Sequence, residues 1–563
     1  MKITVNQLLE KAITTHQEGR LEEAERLYQK ILETQPTHIV AINNLGVLLF
    51  SLGRLNEAQE SYKKLIKLKP DFAEAYNNFA KTLFKLNRIN EAVENHKKAI
   101  ELKPDYIEAH NNLGTIMYKL DRLEEAQESY KKVIEFKPSS PNTYYNLGNI
   151  SNKLDKLEDA EKNYKKAIEI KPNFFEAYYN LANTLKDLDK LEEAEKNYKK
   201  AIELKDDDAI VYNNLATTQE ELGRYKEAEK NYKKTIELKP DFFETYISLA
   251  ATLRKLNRLD ESEETYSKVL NSKPDWKIAL FGRGEILFEK KNFELALRDF
   301  DNCNTSDSRW RSLTCLYSLG RMEEIYKRIE KYSDLDDENL RIASFSAFIT
   351  HKQKKVTKHN FCNNPIDFIH TSNISSNLKK SNLFINEVIG ELKNVKTRWQ
   401  PFERTTFNGY HSGNKQNLFK NPLEKMNKLR SIILDEIDMY YLKFKDESCS
   451  FIKKWPYEKN LVSWYINLKK QGYQTAHCHP SGWLSGVIYL KVVPTLGKNE
   501  GAIELSLNAP HHSDDNSLKV IHKPKVGDII LFPSSLYHRT IPFTTDTDRI
   551  IVSFDLIPNT KKN

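Results

Sequence analysis

The sequence predicts a multidomain α plus β protein: an N-terminal all-α repeat superhelix followed by a β-rich domain with flanking helices. Three observations predict it. Prolines fall at 36, 70, 104, 138, 172, 240 and 274, a 34-residue period with one gap at Asp206. After residue 460 the pattern changes to short β-branched runs split by Gly, Pro and Asn. The length, 563 residues, exceeds what one hydrophobic core serves.

Within each 34-residue unit the same small residue returns in a second helix: Ala24, Ala58, Ala92, Ala126, Ala160, Ala194, Ala228 and Ala296, with Ser262 the exception. Four residues later stands an aromatic, from Tyr28 and Tyr62 to Tyr266 and Phe300, with His96 the exception. Gly46, Ala80, Gly114, Gly148, Ala182 and Ala216 mark the first helix in the same way. Small residues let two helices approach, the aromatic fills the space beside them, and proline ends the second helix. This pattern resembles the tetratricopeptide repeat, with nine units starting near 5, 39, 73, 107, 141, 175, 209, 243 and 277. Stacked repeats of this kind form a concave groove lined by their first helices.

Two positions before the small residue, six consecutive units carry Asn44, Asn78, Asn112, Asn146, Asn180 and Asn214. Asparagine is a mediocre helix former, so propensity does not account for it. A side-chain amide can both donate to and accept from an extended peptide backbone, whatever the peptide's sequence. The row resembles the asparagine ladder of the O-GlcNAc transferase repeat domain, which implies a protein or peptide partner in the groove. The competing explanation is that duplicated repeats copy every residue, used or not.

The period fades between 311 and 367, although "LTCLYSLGRMEEIYKRIEKY" still reads as a helix pair able to cap the repeats. The expected domains are therefore 1–310 for the repeats, 311–394 for a helical cap and linker, and 395–563 for the β-rich domain. Residues 421–444 have helical spacing and should buttress that last domain. Its predicted strands are "LVSWYINL", "WLSGVIYLKV", "GAIELSL", "VGDIILF" and "RIIVSFDLI", the pattern of an antiparallel sandwich or jelly roll.

His477 and His479 flank Cys478, so on an extended chain both imidazoles point to one face. His538 follows "GDIILFPSSLY", and Arg549 comes eleven residues later. Together these stretches resemble the iron(II)- and 2-oxoglutarate-dependent oxygenases, over about residues 395–558 and most closely a subfamily with similar "HCHPSGWLSGVIYL" and "GDIILFPSSLYHRTIP" segments. The resemblance implies a double-stranded β-helix (jelly roll) core, with Fe(II) as metal and 2-oxoglutarate as co-substrate. His477 would be the proximal ligand and His538 the distal ligand, while His479 would either take the place of the family's Asp or Glu or be no ligand at all, leaving the metal held by two histidines with a site open. Arg549 would pair with the far carboxylate of 2-oxoglutarate, and Tyr489 would add a hydrogen bond to it. Three imidazoles in place of two plus a carboxylate, and Ile551 where relatives carry a polar residue, depart from the family pattern; Ser553 lies close enough to substitute.

His511, His512 and His522 lie in the polar stretch "NAPHHSDDNSLKVIHK" and are expected to be solvated. Five scattered cysteines form no CxxC pair, which argues for a reducing, cytoplasmic setting and against a disulfide framework. The net charge of +8 comes from 87 basic and 79 acidic residues that alternate along helix faces, so no nucleic-acid partner is expected. No run is long and apolar enough to span a membrane. The expected function is a hydroxylase acting on a groove-bound protein or peptide. Two alternatives stand beside it: a scaffold with a degenerate oxygenase domain, and a cupin-type metal enzyme, whose motifs Gly527, Pro533 and His538 partly match.

Overall fold

The computed structural model describes residues 4–376, 378, 380–400, 405–412, 417–494 and 497–559. The chain divides into two compact units, Met1–Asp241 and Phe242–Asn563.

The first unit is helix pairs, and each first helix begins where the period places it: Val5, Ile39, Ala73, Ile107, Pro141, Phe175 and Ala209. The turn inside each pair needs one residue with positive φ, and Gly19, Gly53, Asn87, Asp121, Asp155, Asp189 and Gly223 supply it. These are the residue types that tolerate the left-handed region at least cost. The repeated alanines are fully buried, and Tyr28, Tyr62, Tyr130, Tyr164, Tyr198 and Tyr232 pack beside them. Where that first-helix position is glycine the ring packs tightly onto it, and a Cβ at Gly46 would lie 2.8 Å from the Tyr62 ring; Ala182 and Ala216 hold the same position beside Tyr198 and Tyr232. His96 replaces a tyrosine and is equally buried, and burial pushes its pKa down to about 4.

The second unit opens with two more helix pairs, starting at Phe243 and Lys277. Ser262, the exception to alanine, is buried and donates to the Ala250 carbonyl at 2.7 Å, which satisfies its hydroxyl. Helices Ser306–Ser318, Met322–Lys331 and Leu340–Gln353 follow. Among the described residues ten strands follow, with helices between some of them: β1 His370–Asn373, β2 Thr397–Trp399, β3 Thr406–Ser412, β4 Leu461–Gln474, β5 Leu484–Lys491, β6 Ile503–Ser506, β7 Lys519–His522, β8 Asp528–Pro533, β9 Tyr537–Thr540 and β10 Arg549–Leu556. They form an antiparallel seven-stranded sheet, ordered β1-β8-β5-β10-β4-β3-β2, and a three-stranded sheet, ordered β7-β6-β9.

Each face of the large sheet has its own core. On β10, Ile550, Val552, Phe554 and Leu556 pack with the helices Ser381–Leu392 and Glu424–Phe444. The opposite face, with Tyr489, Ile530 and Ile551, packs with Ile503 and Leu505 of β6. Strands buried on both faces read as continuous apolar runs, which is why no alternation shows in "RIIVSF".

The residues expected as a cap and linker, 311–394, are more divided than the sequence suggests. β1 pairs with β8, from His370 opposite Leu531 to Asn373 opposite Asp528, and Phe384, Ile385 and Val388 join the core behind the sheet. The last two repeat pairs share the second unit because Leu287, Ala296 and Phe300 continue, through Trp310 and Phe345, into one apolar cluster with the sheet residues.

Candidate metal and co-substrate site

His477 and His538 sit directly opposite each other across an isolated antiparallel bridge. His477 N–H donates to the His538 carbonyl at 3.1 Å, and His538 N–H donates back at 2.9 Å. This exchange extends the small sheet by one pair and brings together residues 61 positions apart in sequence. His479, two residues on, is fixed by its N–H to the Ser534 carbonyl at 3.0 Å. The ring centroids of His477, His479 and His538 lie 4.3–5.2 Å apart. One ligand atom from each falls within 4.8 Å of the other two.

Each ring has its Nδ1 engaged. His477 Nδ1–H donates to the Thr475 carbonyl at 2.6 Å, His538 Nδ1–H to the Leu536 carbonyl at 3.4 Å, and His479 Nδ1–H to Asp555 Oδ1 at 2.7 Å. That leaves the three Nε2 atoms as the free donors, which is how a protein presents imidazole to a metal. Burial and the neighbouring imidazoles push His477 down to about 3 and His538 well below its ordinary value. Both rings therefore stay neutral near pH 7, the form that binds metal. Imidazole suits iron, zinc, copper and nickel alike, so three neutral nitrogens fit a divalent first-row metal, iron(II) included.

Deeper between the sheets, Arg549 is 1% exposed. Its Nε–H donates to the Gly501 carbonyl at 3.2 Å, its guanidinium lies 4.9 Å from the Tyr489 ring, and Nη1 has no partner. Tyr489 Oη is also buried, with no hydrogen-bond partner besides the neighbouring Arg549, and burial pushes that phenol up to about 12. Burial pulls the arginine down from its ordinary value, with Tyr489 opposing. A buried guanidinium with no carboxylate beside it and a spare Nη1, next to a buried phenol, fits a carboxylate of a small dianion. The cavity is lined by all three histidines together with Tyr489, Arg549, Ile551 and Ser553. The two departures from the family pattern, His479 and Ile551, thus both face it.

Three residues that the sequence reading passed over also shape the site. Asp555 and Ser485 lie opposite each other on β10 and β5, and Ser485 Oγ contacts Ser534 Oγ at 2.8 Å. The signal was present: Arg549, Ile551, Ser553 and Asp555 are spaced by two and must share one face of a strand.

The expectation of solvated histidines is corrected for the 508–523 stretch. His512 is 3% exposed, wedged against Phe345 and Phe348, and burial pushes it down to about 3. His511 packs edge-on against Phe288 and Trp310, and His522 Nε2 meets Asp528 at 3.1 Å. The stretch is polar in composition, yet it is a docking segment for the helices before it.

The six ladder asparagines are all half-buried. Their amides are turned to the preceding repeat. Asn78 donates to Asn43 and Asn112 to Asn77, at 3.4 and 3.2 Å. Asn180 donates to Tyr145 at 3.1 Å and Asn214 to Tyr179 at 3.2 Å. Asn44 and Asn146 bond the hydroxyls of Tyr28 and Tyr130. The ladder is therefore first a set of bonds between repeats, and a ligand would meet the Oδ1 acceptors and whichever amide N–H groups those bonds leave over.

The family described as "Putative 2OG-Fe(II) oxygenase" matches residues 462–555, the span that holds every residue of the site above. Tetratricopeptide repeat families match residues 27–60, 46–87, 80–121, 116–155, 141–174, 173–241 and 220–281. The chain joins tetratricopeptide repeats to a 2OG-Fe(II) oxygenase-family domain. No curated protein matches the chain. Among solved structures, the repeats are similar to YrrB, titled a TPR protein with an unusual peptide-binding site, at 24% identity over 33% of this chain and 96% of that one, TM-score 0.31. They are also similar to MamA from Desulfovibrio magneticus RS-1 (20% identity, 30% and 94% coverage, TM-score 0.28). A third is the C-terminal part of a TPR repeat-containing protein from Cytophaga hutchinsonii (17%, 42% and 97%, TM-score 0.37). In the oxygenase-family domain, no helix among the described residues is long and apolar enough to cross a membrane, and the same holds for the repeats.

Proposed function

We propose that this protein is an iron(II)- and 2-oxoglutarate-dependent oxygenase that hydroxylates a protein or peptide held by its repeat groove. The observation that carries the reading is the meeting of three converging imidazoles with the buried Arg549, its Nη1 unbonded, and Tyr489 in one cavity. Iron(II) bound there would supply oxygen activation, with 2-oxoglutarate split to succinate and carbon dioxide. The protein's own residues do the rest. His477, His479 and His538 would hold the metal, Arg549 and Tyr489 would anchor the co-substrate, and Ile503, Phe532 and Ile551 line the cavity with apolar surface.

A cupin-type enzyme has no use for a buried arginine, so Arg549 favours the oxygenase reading. A scaffold with an inert domain draws support from His479, which replaces the usual carboxylate. The groove as the substrate site is supported by the asparagine row, which stays partly exposed although its amides bond the preceding repeat, and the five free thiols fit a reducing compartment such as the cytoplasm. The deciding measurement is succinate release by protein purified anaerobically with iron(II). Detectable uncoupled turnover in wild type, lost in His538→Ala, is the expected outcome. Wild type that retains no iron and gains no heat stability from 2-oxoglutarate would hand the case to the scaffold.

A further inference from the structure

The carboxylate missing from the ligand set is present one residue further out. Asp555 Oδ1 lies 2.7 Å from His479 Nδ1, behind the one histidine that stands where the family pattern has Asp or Glu. The other two Nδ1 atoms meet backbone carbonyls, which carry no charge. Asp555 is buried, and among the described residues no lysine or arginine pairs with it. A buried carboxylate without a cationic partner is costly, so its placement calls for a positive centre nearby. Its own orientation is fixed: Ser485 Oγ–H donates to Asp555 Oδ1 at 2.7 Å from the opposite strand. Gly482, in the turn after His479, keeps the space clear, since a Cβ there would lie 3.0 Å from Asp555 Cγ and 2.7 Å from Ser534 Oγ.

We propose that Asp555 is a positioning residue for the metal site, holding His479 by its Nδ1–H so that Nε2 faces the metal and placing a carboxylate charge directly behind that ligand. The inner set is then three imidazoles, and the compensating negative charge is relayed through one of them. Partners of this kind, one shell beyond the ligand, typically govern metal affinity by 10- to 100-fold. The inference rests on the metal reading of the three histidines, so its test must separate the two.

The test is titration of the chelator-stripped full chain with cobalt(II), followed by calorimetry and by the visible absorption of the bound ion. Wild type is expected to bind one ion, and Asp555→Asn to bind it 10- to 100-fold more weakly with an unchanged melting temperature. In a His479→Ala background, the further change Asp555→Asn is expected to have no effect, because its influence passes through His479. Wild-type affinity in Asp555→Asn overturns the proposal, as does an equal loss in both backgrounds. Should Asp555→Asn not fold, Ser485→Ala decides: a several-fold loss of cobalt affinity supports the role and unchanged affinity overturns it. Wild type that binds no cobalt overturns the metal reading itself, a failure distinct from either result above.

Discussion

Replacing Arg549 by methionine separates a functional cation from a structural one. In the ligand-free protein the guanidinium is 1% exposed and has one carbonyl bond, one aromatic face and no carboxylate. Breaking a buried ion pair by removing one partner costs about 3–5 kcal/mol, and here the missing partner is the co-substrate. Losing 3 kcal/mol of co-substrate binding corresponds to roughly a 150-fold weaker Kd. At 100 times its Kd, 2-oxoglutarate should add about 2.7 kcal/mol to iron(II)-loaded wild type, a rise of roughly 5 °C at about 2 °C per kcal/mol. For Arg549→Met the same concentration lies near or below Kd and adds about 0.4 kcal/mol or less, under roughly 1 °C. The ligand-free variant should melt no lower than wild type, because an unpaired buried charge has been replaced by a side chain of similar volume. Anaerobic thermal melts with and without 2-oxoglutarate read both effects. A full ligand-induced shift in Arg549→Met would refute the anchoring argument. A ligand-free variant weakened by more than about 2 kcal/mol would refute the claim that the charge lacks a partner.

Two further outcomes follow from the same geometry. Asn112→Ala with Asn146→Ala should weaken a groove-bound peptide, measured by fluorescence polarisation, while leaving uncoupled succinate release unchanged. It should also cost about 1 kcal/mol of stability per lost bond to the neighbouring repeat, and stability loss without affinity loss would make the ladder purely an internal fastener. His512 has its folded pKa depressed from 6.5 to about 3, so the neutral ring stabilises the fold above pH 6.5 and that stability drains away as pH falls toward 3. At pH 5 the loss is about 2 kcal/mol. His512→Phe should shrink the difference in urea stability between pH 7 and pH 5 by that amount, and an unchanged difference would show that the ring is not the titrating group.

Much of the architecture can be read directly from residue order. A 34-residue period fixes the helix pairs to the residue, because each position carries a local requirement: a small residue for close approach, Gly, Asn or Asp for the positive-φ turn, proline for the stop. The pair His477 and His479 was legible for a similar reason, since spacing by two puts side chains on one face of an extended chain. Arg549, Ile551, Ser553 and Asp555 obey the same rule, but a strand buried on both faces hides its alternation, and Asp555 went unnoticed in an apolar run.

Other features were decided only by the fold. The hydrogen-bonded pairing of His477 with His538 joins residues 61 positions apart in sequence, and nothing local specifies it. The short strands β1, β2, β3, β7 and β9 carry little propensity of their own and exist because a neighbour supplies their hydrogen bonds. His512 looked solvated in its polar sequence and proved buried, since burial depends on what packs from elsewhere, here Phe345 and Phe348. Periodicity and turn chemistry act between near neighbours and are written in the sequence. The convergence of imidazoles, guanidinium and a second-rank carboxylate is a product of distant strands, and only tertiary structure could bring it about.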